Sequence, residues 1–265
     1  MTQAPFETSR TLQLAGRAFE ICGRPGDPYF ENVALDGSND FLAWFCANRL
    51  ARDAVVFDVG ANIGVTAVVF AATVTEGAIW CFEPSPAVYP CLLQTLGRNG
   101  LDRCRPLPLA LGAAPGRLAF YDNPTSASAS HLVAGDQTLG PASDNVDVST
   151  IDRVVQERGL ERLDLIKIDV EGFETEVLEG AERTLAALKP TVYLEFNSFT
   201  LIAYGNRNPR QFLEELLARF DFVYRFEAGA PRQISGAADV LDFIHDNLVK
   251  HGCVDDLLCC FEPLP

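Results

Sequence analysis

The sequence predicts an α/β fold built on a mainly parallel sheet with helices on both faces. Three observations predict it. Short apolar runs at residues 54–58, 78–82 and 163–168 read as strands buried on both sides. Segments with helical apolar spacing alternate with these runs, as crossovers between parallel strands require. Glycines and acidic residues gather just after the runs, where sheets of this kind bind ligands.

The elements follow in order. Residues 1–50 read as an N-terminal extension that packs on the core, and residues 51–265 as the core domain. In the extension, residues 17–22 alternate like a strand, 23–28 are a turn rich in glycine and proline, and 39–50 carry helical spacing. Strand 54–58 leads into a helix over 64–73, rich in alanine and valine. Strand 78–82 follows. Ser85 then reads as an N-cap with Pro86 at the first helical position, which predicts a helix to about Leu96. Residues 104–111 read as a third strand. Residues 112–148 are less regular, with an added strand at 118–121 and a small, polar loop at 125–130.

A capped helix begins at Ser149-Thr150. Strand 163–168 precedes a helix over 174–188, whose Val177, Leu178, Ala181 and Leu185 share one face. Strand 191–196, a helix over 209–220 and strands at 222–226 and 254–261 complete the chain.

Composition narrows the function classes. The chain has 265 residues, 48% hydrophobic and 22% charged, which suits a sizeable core. Lysine and arginine number 21 against 36 acidic residues, a formal net charge of −15. Such a surface repels nucleic acid and anionic membranes, so neither is expected as a partner. No apolar run approaches the ~18 residues of a membrane span, and residues 1–10 lack the apolar core of a secretory signal. The eight cysteines form no C-x-x-C pair and read as reduced core residues, as expected of a cytoplasmic protein.

Four places carry chemistry. The first is Asp58-Val59-Gly60-Ala61-Asn62-Ile63-Gly64, between a strand and a helix. Gly60 permits close approach of a ligand to the main chain, and Gly64 permits close helix packing. The helix amino terminus favours a carboxylate, and Asp58 suits a ligand ammonium. Asn62 stands where the dinucleotide fingerprint has its second glycine, which disfavours a pyrophosphate. The second is Phe82-Glu83-Pro84. An acid closing the second strand meets ribose hydroxyls in nucleoside-binding sheets.

The third is Lys167-Ile168-Asp169-Val170-Glu171-Gly172-Phe173-Glu174. Alternation puts Lys167, Asp169 and Glu171 on one side, and ionisable groups ending an apolar strand are costly unless paired or used. Glu174 and Glu176 read as helix-entry acids serving the dipole. The fourth is Leu194-Glu195-Phe196-Asn197, where Glu195 and Asn197 are candidates for a substrate pocket.

These motifs resemble the FkbM family of methyltransferases. The resemblance rests on Asp-Val-Gly-Ala-Asn-Ile-Gly at 58–64, Phe-Glu-Pro at 82–84, residues 164–174 with Val177-Leu178 and Gly180-Ala181, Leu194-Glu195, and Asp256 to Cys259 near the end. It implies a class I methyltransferase fold, a Rossmann-like sheet of seven strands with the last antiparallel. It implies S-adenosylmethionine as cofactor and O-methylation of a sugar, polyketide or other small secondary-metabolite acceptor, glycosylated ones included. On this chain Asp58, Gly60, Ala61, Asn62 and Gly64 would hold the methionine portion. Glu83 with Pro84 would hold the ribose, and Ala110 and Leu111 would flank the adenine. Asp169 and Glu171 would lie between sulfonium and acceptor.

Asp169 or Glu171 is then the candidate base, with Lys167 orienting it, and His131 is a further candidate from the loop at 124–138. A divalent metal on Asp169, Glu171 and Glu195 is an alternative that no compact ligand motif favours. Two other readings are a nicotinamide-dependent oxidoreductase on a related sheet and a non-catalytic interaction protein that kept the fold. The missing glycine speaks against the first, and retention of the acidic positions against the second.

Overall fold

The computed structural model describes residues 8–14, 16–33, 40–123, 126, 129–133 and 144–264. Strands β1 (Ser9–Leu14) and β2 (Arg17–Cys22) form an antiparallel hairpin, followed by the short helix α1 (Pro28–Asn32) and by α2 (Asp40–Asn48). Then come β3 (Val55–Val59), α3 (Val65–Thr73), β4 (Ala78–Phe82), α4 (Tyr89–Arg98) and β5 (Cys104–Leu107). Four short strands follow: β6 (Ala110–Leu111), β7 (Gly116–Tyr121), β8 (His131–Leu132) and β9 (Asp144–Ser149). Next are α5 (Ile151–Glu157), β10 (Leu165–Ile168), α6 (Glu174–Glu179), α7 (Glu182–Leu188), β11 (Thr191–Asn197), α8 (Ser198–Ala203) and α9 (Pro209–Arg219). The chain closes with β12 (Phe222–Glu227), β13 (Ala230–Ile234), α10 (Ala237–Val249) and β14 (Val254–Cys260).

The main sheet runs β13-β12-β14-β11-β10-β3-β4-β5. Strands β5, β4, β3, β10 and β11 are mutually parallel, and β14 enters antiparallel between β11 and β12. This is the expected Rossmann-like class I arrangement with its reversed final strand. One strand is added: β13 folds back on β12, so the sheet has eight strands instead of seven. Helices cover both faces. Val177, Leu185, Leu213 and Phe243 pack on one, while Phe41, Phe70 and Leu92 pack on the other. Among the described residues no helix is long and apolar enough to cross a membrane.

Three expected elements differ. The helix expected to start at Pro86 starts at Tyr89. Ser85 instead caps a turn, its hydroxyl accepting from the N–H groups of Ala87 and Val88. The third strand, expected over 104–111, is cut at Leu107. Pro108 has no N–H to continue the ladder, and β6 leaves for a second sheet of order β6-β9-β7-β8. The helix expected over 174–188 is two helices. The Asp152 carboxylate of α5 accepts from the N–H groups of Arg183 and Thr184 and starts α7 there. Gly180 at the break touches Gly112, whose carbonyl oxygen would lie 2.0 Å from any Cβ. Strand β13 and helices α8 and α10 were not expected. Much of the loop expected at 125–130 lies outside the described residues.

The N-terminal hairpin and α1 are built onto α3 and α4. Leu12, Phe19, Ile21 and Phe30 bury against Ile63, Val68, Val88 and Cys91. The Asn99 side chain bonds both the N–H and the carbonyl of Glu20.

Candidate functional site

The order of the sheet reverses between β3 and β10, since β4 and β5 lie on one side of β3 and β10 and β11 on the other. A cavity of about 320 Å³ opens at the carboxyl ends of the strands at this switch point. Its walls come from the turn after β3, the end of β4, the β5–β6 connection, the second sheet, the segment after β10, and Glu195 of β11. Tyr29 of α1 also lines it.

The turn after β3 brings Gly60, Ala61 and Asn62 to the cavity. Gly60 has φ +77°, and a Cβ there would lie 1.9 Å from the carbonyl oxygen of Asp169. Only glycine lets β3 and β10 close this way. The turn's N–H groups have internal acceptors. Gly60 and Ala61 donate to the Phe82 carbonyl, Asn62 to Glu83, Ile63 to the Asn62 side chain and Gly64 to Ala61.

Two expectations about this turn are therefore corrected. Asp58 is fully buried below the cavity and is absent from its lining, where it accepts from the Thr66 hydroxyl at 2.8 and 3.0 Å. Its partners are the Thr66 hydroxyl and the Lys167 ammonium in place of the expected ligand ammonium. Gly64 likewise does not line the cavity. It packs against Leu92 and Thr95 of α4.

Glu83 and Pro84 line the cavity. The Glu83 carboxylate accepts from the N–H of Asn62 at 2.9 Å and of Ser85 at 2.8 Å, clasping two loops. Burial pushes it up to about 7 against these two donors. Glu83→Ala leaves both N–H groups without this acceptor. A stability loss of roughly 1–3 kcal/mol is expected, read by urea denaturation of the unliganded protein. Ala110 and Leu111 line the cavity beside Phe82 and Leu109, forming its apolar part.

The acidic end centres on Lys167, which is 4% exposed. Its ammonium donates to the Gly60 carbonyl at 3.0 Å and pairs with Asp169 at 3.3 Å and Asp58 at 3.6 Å. Burial works against the charge, but the Asp169 and Asp58 carboxylates outweigh it and hold the group above its ordinary value. Asp169, Glu171 and Glu195 offer carboxylate oxygens that all lie within 4.8 Å of one another. Burial and the Asp169 charge, with a further contribution from Glu174, push Glu171 up to about 9. Glu195 is pushed well above its ordinary range by burial and by Asp169, Glu171, Asp256 and Glu174.

Glu171 sits at φ 54°, a left-handed conformation that non-glycine residues adopt at a cost. Glu174 holds it there, since its carboxylate accepts from the N–H groups of Val170 and Gly172. Glu174 stands in the first turn of α6, as expected of a helix-entry acid, and is in addition a buried clamp on the loop. Glu176 pairs with Arg207 at 3.5 Å.

His131 lines the cavity from β8. Its Nδ1 lies 3.1 Å from the Ala129 carbonyl, and burial lowers its pKa, which keeps the ring neutral at pH 7. The ring stacks on Tyr204, just after α8, at 3.8 Å and 7°. Asn197 is corrected: its side chain caps α8, accepting from Phe199 and Thr200, and does not line the cavity. Tyr29 and Tyr204 were missed by sequence reasoning, as was the clamp that Glu174 makes on the loop. A tyrosine just after the N-cap pair Asp27-Pro28 was a legible signal for a helix, but nothing local pointed it at this cavity.

Comparison with known proteins agrees on one family. A family model described as a methyltransferase FkbM domain matches residues 58–226. The 2-O-methyltransferase NoeI of Sinorhizobium fredii is 29% identical over 71% of this chain and 79% of its own length. The hexuronic acid methyltransferase AglP of Haloferax volcanii is 28% identical over 58% of this chain, and the match spans 60% of AglP. The crystal structure of a methyltransferase FkbM from Methylobacillus flagellatus superposes with a TM-score of 0.51 at 17% identity. That match covers 80% of this chain and 44% of the other. This last likeness concerns the fold.

Proposed function

The chain belongs to the FkbM methyltransferase family, and from that premise we propose that it transfers the methyl group of S-adenosylmethionine to a hydroxyl oxygen of a small sugar or secondary-metabolite acceptor. The observation that carries the reading is the meeting, in one cavity, of the Gly60–Asn62 turn, Glu83, and the carboxylates of Asp169, Glu171 and Glu195.

The residues present fit the donor. Gly60 lines the cavity where the turn closes on the Asp169 carbonyl, an approach that any Cβ would block. Glu83 keeps lone pairs for ribose hydroxyls beyond the two N–H groups it holds. Ala110, Leu111 and Leu109 give an apolar slot for the base. Gly60, Ala61 and Asn62 lie where the methionine portion would rest. When bound, S-adenosylmethionine supplies an electrophilic methyl carbon on a sulfonium that departs as a neutral thioether.

The protein's own contribution is positioning and proton removal. Holding two reactants in line is worth about 7–11 kcal/mol in favourable cases. Glu171 takes the acceptor's proton, because its raised pKa makes it the stronger base once ionised. Asp169, paired with Lys167, supports negative charge beside it. A cation on the three carboxylates would compete with that ammonium, so proton transfer to carboxylate is the preferred reading. The acidic surface disfavours polyanionic acceptors such as nucleic acid.

The names of two relatives, a 2-O-methyltransferase and a hexuronic acid methyltransferase, support hydroxyl and uronic-acid acceptors as the first to try. The test is incubation with methyl-labelled S-adenosylmethionine and a panel of methyl glycosides, uronic acids and hydroxylated polyketides, with EDTA present. Label is expected in an alkali-stable ether. Failure of the protein to bind S-adenosylmethionine in calorimetry would sink the proposal.

A further inference from the structure

The N-terminal segment does more than pad the core. Helix α1 delivers Tyr29 to the wall of the cavity that Gly60, Ala61 and Asn62 also line, within electrostatic reach of Lys167, Asp169, Asp58 and Glu195. The delivery is built. The Asp27 side chain accepts from the Tyr29 N–H at 3.0 Å and starts the helix after Cys22 has anchored to Thr95 of α4 at 3.0 Å. Phe30, next to Tyr29, is 1% exposed and seats against Gly23, where any Cβ would strike its ring at 2.4 Å. With Phe30 locked inward, the neighbouring Tyr29 stays half-buried on the cavity wall.

A donor's carboxylate in this cavity needs hydrogen-bond donors, and many are committed. The N–H groups of residues 60–64 all have internal acceptors. Among the lining side chains, Thr66 donates to Asp58 and Ser130 to Asp122. Lys167 is shared among Gly60, Asp169 and Asp58. The Tyr29 hydroxyl has no hydrogen-bond partner among the described residues.

We propose that the Tyr29 hydroxyl binds the α-carboxylate of the methionine portion of the methyl donor, making the N-terminal segment part of the donor site. This inference rests on the donor reading above. The phenol stays protonated at any working pH. Burial raises its pKa, and the nearby Asp169, Asp58 and Glu195 raise it further, with only Lys167 opposing. It is therefore a fixed donor. Among the charges that act on the hydroxyl, Lys167 is the cation, set against the Asp169, Asp58 and Glu195 carboxylates.

The experiment compares two probes by calorimetry on the wild type and on Tyr29→Phe. S-adenosylhomocysteine carries the amino-acid portion, and 5′-methylthioadenosine lacks it. Tyr29→Phe is expected to weaken S-adenosylhomocysteine about ten- to a hundredfold, as loss of a hydrogen bond to a charged group does, and to leave methylthioadenosine unchanged. Equal loss for both probes would mean a merely structural tyrosine, and no loss for either would mean none of this role. Either result overturns the inference while wild-type binding keeps the donor reading. A wild type that binds neither probe removes the donor reading and this inference with it.

Discussion

Glu171→Gln is expected to lower kcat by about 10²–10⁴-fold while S-adenosylhomocysteine affinity stays within about threefold. The glutamine keeps the side-chain shape and the left-handed backbone but cannot take a proton. The pH profile gives the sharper signature. With burial, Asp169 and Glu174 pushing Glu171 up to about 9, the wild-type rate should climb through neutral pH and level off near that value. The Gln variant should lack this limb.

Stability should move the other way. A carboxyl whose folded pKa is raised favours the folded state when protonated. That contribution is complete below about pH 4.5 and is lost as pH rises through about 9. Glu171→Gln should therefore hold its Tm better than wild type between pH 6 and 9, measured by calorimetry across that range. Asp169→Asn serves as the comparison. If it removes the alkaline limb and Glu171→Gln does not, Asp169 is the base.

Lys167→Met is the second large effect, and it acts on folding. Its ammonium is the only cation paired with Asp58 among the described ion pairs, and Asp58 is 0% exposed. Removing it leaves a buried carboxylate with only the Thr66 hydroxyl, and the Gly60 carbonyl loses its donor. A loss of about 3–5 kcal/mol in urea denaturation is expected, the usual cost of stranding one partner of a buried pair. Asp58→Asn in the Lys167→Met background should recover a good part of it, because the fully buried charge is then gone and Asp169, 38% exposed, is open to water. A double-mutant cycle showing independent, additive losses would show that the two groups do not act as a unit. Asp58 thus serves the site through Lys167, from below the cavity floor.

The main sheet was legible because its strands are apolar on both faces and its helices carry period-3.6 stripes. Strands β3, β4, β10 and β11 fall where those runs predict, and Gly60, Asn62, Glu83, Asp169 and Glu171 all reach the cavity because strand ends are where the chain leaves the sheet. Helix α10 was also readable, since Val240, Phe243 and Asn247 recur at helical spacing and are buried. The break between α6 and α7 was not readable, because the group that caps α7 is Asp152 from another helix.

The sequence by itself determined the alternation of strands and helices, the glycine at the switch point and the acids at the strand ends, since each follows from local backbone and periodicity rules. Only the tertiary structure decided which of those acids face the cavity. Asp58 turns down to Lys167, Asn197 caps a helix, Glu174 clamps a loop, and Tyr29 arrives from the far end of the chain. The physical reason is that a side chain's partner is set by packing between elements distant in sequence, and a buried charge settles wherever an opposite charge or a donor can meet it.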